Sequence, residues 1–79
     1  MMEITMNETV YFVNPMTAQV WLYVEVEGKS LLECLDSMVE VTDTISLDLR
    51  KELAIRAWEE ANIERRQEGA RPLPGPWRI

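Results

Sequence analysis

Val20-Trp21-Leu22-Tyr23-Val24-Glu25-Val26-Glu27 is the stretch on which the fold turns. Val20, Leu22, Val24 and Val26 recur with a period of two. Gln19, Trp21, Tyr23, Glu25 and Glu27 take the other face, the pattern of a strand buried on one side. Upstream, Thr9-Val10-Tyr11-Phe12-Val13 is β-branched and aromatic throughout, which suits a strand. Asn14-Pro15-Met16-Thr17 lies between the two runs. Asn opens the turn and Pro supplies φ near −65° at its second position. Residues 9–27 therefore read as an antiparallel β-hairpin, with residues 3–6 extending its first strand.

Beyond it, Gly28-Lys29 breaks the strand and Ser30 stands where a helix N-cap belongs, with Glu33 completing a capping-box spacing. Leu31, Leu32, Leu35, Met38 and Val39 form an apolar stripe at helical spacing, which takes the helix to about Glu40. The β-branched residues of 39–42 leave a short third strand open as the alternative. Thr42-Asp43-Thr44 reads as a turn, Ser46 as a second N-cap, and Asp48 as an acid favouring the first-turn dipole. A helix follows over 47–67, with Leu49, Leu53, Ala54, Ala57, Trp58 and Ala61 on one face, and Gly69 stops it as a C′ glycine. Arg50 projects onto that apolar face, and Asp43 or Glu40 is its expected partner. Pro72, Pro74 and Pro76 exclude helix from the last ten residues and favour an extended path. The expected architecture is α+β. A β-hairpin, three-stranded if 39–42 pairs, packs on two helices as a single domain over 1–69, and an extended Pro-rich tail spans 70–79.

Composition narrows function by exclusion. The 79 residues contain no histidine and one cysteine. That removes Ser-His-Asp and Cys-His relays, imidazole ligands, internal disulfides and Cys-rich zinc sites. Carboxylates without a partner base define no catalytic mechanism, so no enzyme, metal or cofactor is expected. Cys34 borders the leucine stripe and reads as a buried, inert thiol. The start of the chain lacks a basic, then apolar, leader, and the longest apolar run, residues 20–24, is far below the roughly 20 residues of a membrane span. A cytoplasmic protein without membrane contact is expected.

Charge is the informative feature. Residues 1–49 carry nine acids against Lys29 alone, a local charge of −8, whereas residues 50–79 carry +2. At about 100° per residue, Glu33, Asp36 and Glu40 would share one face of the first helix, opposite its leucines. Glu25 and Glu27 would share a strand face with Trp21 and Tyr23. Acids interrupted by amphipathic aromatics suit a cationic partner, the aromatics supplying contact area and the acids steering association. The plainer reading is a solvated acidic face that keeps a small protein soluble. Direct nucleic-acid binding would need an excess of Lys and Arg on one surface. The one basic cluster, Arg65-Arg66 with Arg71 and Arg78, is diluted by Glu64 and Glu68 and offers at most a local contact.

Two short patches resemble HicB-type antitoxins, small acidic proteins that inhibit a toxin partner. They are Gly28-Lys29-Ser30-Leu31-Leu32-Glu33-Cys34-Leu35 and Gly69 followed by Arg71-Pro72-Leu73-Pro74 and Pro76. The chain departs from that family in placing a turn and a second long helix between them, and in lacking a Pro-Asp-Leu-Pro-Gly stretch.

The functional expectation is a small acidic, non-enzymatic protein-binding module, an inhibitor of antitoxin, immunity or phage anti-defence type. It would occlude a basic surface of a partner protein, a nucleic-acid-binding protein among the candidates. Trp21, Tyr23, Glu25, Glu27, Glu33, Asp36 and Glu40 are the expected contact residues. The alternative is an assembly component, viral in one version, that forms homo-oligomers by docking Trp77 and Ile79 of its tail into a neighbouring subunit.

Overall fold

The computed structural model describes residues 1–75. Four strands, β1 (Met2–Met6), β2 (Thr9–Val13), β3 (Val20–Tyr23) and β4 (Val39–Glu40), form one antiparallel sheet in sequential order. Helix α1 (Leu31–Asp36) lies in the connection between β3 and β4, and α2 (Leu47–Gln67) follows β4. The α+β class is thus as the sequence implies, with a larger sheet.

The extra strand comes from residues read as an extension of the first. Met6 pairs with Thr9 across a two-residue loop, Asn7-Glu8, in which both φ angles are positive, at 50° and 65°. This is the signature of a type I′ turn, whose twist matches the strands it joins. Asn at the first loop position fits the rule. Glu at the second, where glycine is usual, hid the turn. The next connection follows its expected chemistry. Asn14 Oδ1 accepts the Met16 N–H at 2.8 Å, and the Asn14 carbonyl accepts that of Ala18 at 2.9 Å.

Strand β3 ends at Tyr23, not near Glu27. Its register with β2 pairs Val10 with Tyr23. Continued by two residues, that register would set Glu8 directly opposite Glu25, and like charges in that position destabilise a ladder. The two chains diverge instead. Gly28, at φ 86°, then turns the chain, with the Lys29 N–H donating to the Val26 carbonyl.

Helix α1 is six residues long and stops well before Glu40. Ser30 caps it by accepting the Glu33 N–H at 3.2 Å. The alternative for residues 39–42 is the one adopted, since Val39 and Glu40 pair with Leu22 and Trp21. The leucine stripe is overturned as a core element. Leu31, Leu32 and Val39 are 67%, 73% and 61% exposed, and Cys34 is the residue α1 buries. A six-residue helix of fewer than two turns cannot carry a stripe of about two and a half turns, and Val39 has moved onto the sheet edge.

Helix α2 has the bounds its sequence indicates. Ser46 accepts the Leu49 N–H at 3.2 Å. At the other end Ala70 N–H bonds to Arg65 O and Gly69 N–H to Arg66 O, with Gly69 at φ 75°, a Schellman motif. Leu53, Ala54, Ala57 and Ala61 are buried, and three alanines let the helix approach the sheet closely. The core joins Leu53 and Ala57 to Ile4, Val13, Val20 and Val41, with Met2, Tyr11, Leu22 and Leu49 packed around them. All the strand residues in this set belong to one face of the sheet. Arg50 makes neither expected ion pair. Its Nε donates to the Ala18 carbonyl at 3.1 Å and ties α2 to the β2–β3 connection.

Candidate interaction face

The opposite face of the sheet carries the candidate site. The registers line up Glu3, Phe12, Trp21 and Glu40 in a single row across all four strands. Two aromatics sit at the centre and a carboxylate at each end, about 14 Å apart at strand spacing. In the adjacent row Thr5, Val10 and Tyr23 stand side by side. Phe12 and Tyr23 meet edge to face, with ring centroids 5.6 Å apart, an arrangement favoured by the ring quadrupoles. Phe12, Trp21 and Tyr23 are all half-buried. They do not lie under α2, which packs on the other side.

Helix α1 reaches this face through Cys34, which is buried beside Tyr23. The Tyr23 phenol is held above the ordinary tyrosine range. Partial burial is the main cause, followed by the Cys34 thiol and then the carboxylates of Glu25 and Glu3. Glu25 and Glu3 therefore both lie within electrostatic reach of Tyr23, one from the connection after β3 and one from β1.

Glu40 is oriented by its neighbours. Its Oε2 accepts from Thr42 Oγ1 at 2.9 Å and from Gln19 Nε2 at 3.4 Å. Thr42 Oγ1 in turn accepts the Val20 N–H at 3.0 Å, taking the place of a backbone rung next to β4. Glu40 thus belongs to the sheet, and the three-acid helical face expected for Glu33, Asp36 and Glu40 does not exist. Glu25 and Glu27 likewise leave the strand and lie in the connection to α1. Glu33 and Asp36 remain on α1, exposed with Glu25, Glu27 and Glu40. Among the described residues the one ion pair is Arg56–Glu52 at 3.2 Å, within α2, so no arginine neutralises these acids there.

Where β2 and β3 diverge, Glu8, Thr9 and Val10 on one side and Tyr23, Val24 and Glu25 on the other border an open cleft of about 420 Å³. Sequence reasoning missed Glu3, Phe12 and Glu8 as members of this region. The signal was the pair of residues between Met6 and Thr9, since placing a turn there fixes the register that aligns Glu3 with Phe12.

The tail begins on α2. Leu73 donates its N–H to Asn62 Oδ1 at 2.8 Å, and Trp58 Nε1 donates to the Leu73 carbonyl at 3.2 Å. Arg65 Nε donates to the carbonyl of Arg71. Trp77 and Ile79, the expected docking residues, lie outside the described residues.

Compared with known proteins, the chain matches no family model, no curated protein and no solved structure.

Proposed function

We propose that this chain is a non-enzymatic protein-binding module whose aromatic sheet face engages a basic surface of a partner protein and occludes it. The observation that carries the reading is the row Glu3–Phe12–Trp21–Glu40, half-buried aromatics bracketed by carboxylates, on the side of the sheet that α2 leaves uncovered. Trp21 and Tyr23 supply rigid contact area, and Glu3, Glu25 and Glu40 pair with partner arginines or lysines around its rim. Glu27, Glu33 and Asp36, on the connection that carries α1, extend the negative field and steer the approach. Binding of this kind excludes other ligands of the basic surface by occupying it, which is how a small acidic protein inhibits.

The test is capture of basic proteins by the immobilised chain. Capture weakens steeply between low and physiological salt, because the steering charges are screened over about 8–10 Å. Trp21→Ala reduces it at every salt concentration, and the pair Glu33→Lys with Asp36→Lys reduces it most at low salt, with folding unchanged by circular dichroism. Capture indifferent to salt and to all three substitutions overturns the reading.

A further inference from the structure

The outer edge of β1 is unpaired among the described residues. Val20 donates its N–H to Thr42 Oγ1 and accepts the Val41 N–H at 2.8 Å, so its main-chain groups face β4. Alternation along the antiparallel ladders then turns the main chain of Val10 and Phe12 toward β3, and that of Met2, Ile4 and Met6 toward β2. Glu3 and Thr5 are left with their N–H and C=O groups pointing outward. Among the described residues no strand or side chain satisfies them. Five residues of regular pairing, with no proline or bulge and Glu3 as the one charge, leave an edge open to strand addition.

We propose that this edge pairs with β1 of a second copy of the chain, antiparallel, about a two-fold axis through Ile4. The register follows from the residues. Only pairings that set outward-facing residues opposite one another form hydrogen bonds. Glu3 against its own copy places two carboxylates together, and Thr5 against its own copy runs Glu3 into the Asn7 turn. Glu3 opposite Thr5 of the second copy avoids both, pairs all five residues of the strand, and sets a carboxylate beside a hydroxyl on each side of the axis. Ile4 meets Ile4, and Met2 meets Met6. The result is a continuous eight-stranded sheet with both α2 helices on one face and both aromatic rows on the other. The net charge of −6 per chain opposes this association, so it strengthens as salt rises. Partner capture has the opposite salt response, which separates the two surfaces.

Sedimentation equilibrium of the full chain, run to about 1 mM, tests it. A monomer–dimer equilibrium is expected. Thr5→Pro, which removes an outward N–H and leaves the β2 rungs intact, shifts it to monomer with circular dichroism unchanged. Thr5→Lys places a lysine opposite Glu3 of the second copy and tightens the dimer by roughly threefold to tenfold, whereas Thr5→Glu weakens it by a similar factor. Thr44→Lys and Thr44→Glu, on the exposed turn beyond the opposite edge of the sheet, carry the same net charges and report their general effect. A chain that stays monomeric throughout overturns the proposal. So does a dimer whose affinity responds equally at Thr5 and Thr44.

Discussion

Glu8 shows what a single residue can hold against its own preference. At φ 65° a β-carbon crowds the backbone, and the second position of a type I′ loop favours glycine for that reason. Glu8→Gly should stabilise the chain by about 0.5–1 kcal/mol, read as a higher urea midpoint at constant m. Tyr23 offers a second readout at this scale. Its phenol keeps its proton to higher pH than in the unfolded chain, where tyrosine titrates near pH 10. Between the two values the folded state binds more protons. The stabilisation is present in full below about pH 10 and is lost as pH climbs through the folded pKa. In a Tyr11→Phe background, which leaves Tyr23 as the one tyrosine, phenolate absorbance should rise at higher pH in buffer than in concentrated urea. Coincident curves would show that the ring is neither desolvated by burial nor crowded by Cys34, Glu25 and Glu3.

At the scale of elements, legibility followed locality. The bounds of α2, its Ser46 cap and its Gly69 stop were all readable, because capping, dipole and helical period are set by residues within a few positions of one another. Ser46→Ala should cost about 1 kcal/mol, measured by chemical denaturation, through loss of one satisfied N–H in the first turn. The end of β3 was not readable from its own alternation, which runs on to Glu27. What opposes its continuation is Glu8, in the loop that precedes β2. The end of α1 was hidden similarly: Val39 and Glu40 fit either period, and pairing with Trp21 and Leu22 decides between them. Thr42 is the hinge of that choice, since its hydroxyl serves the buried Val20 N–H. Thr42→Val keeps the shape, orphans that N–H and should cost about 1–3 kcal/mol, seen as a lower unfolding midpoint.

Over the whole molecule, one face of the sheet is committed to the core, and the other meets the six-residue α1 at Cys34, beside Tyr23. Leu53 is the largest fully buried side chain in that core. Leu53→Ala should remove about 2–5 kcal/mol, a large share of what so small a domain has to lose, and should unfold it near physiological temperature in a thermal melt. The candidate site was half legible. Alternation indicates Trp21 and Tyr23, and they do share one sheet face. Glu25, expected on the same strand face, lies in the connection beyond it, within electrostatic reach of Tyr23. Glu3 and Phe12 were not identified, and Glu40 was assigned to the wrong element, because their association runs across strands far apart in sequence. The sequence alone determined the α+β class, the long helix with its caps, the acidic amino-terminal half and the lack of histidine and of a second cysteine, since each depends on local order or on counting. Only the tertiary structure decided the number of strands, the ends of β3 and α1, and the acid–aromatic–aromatic–acid row. These depend on strand register, and one residue of register moves every side chain to the opposite face.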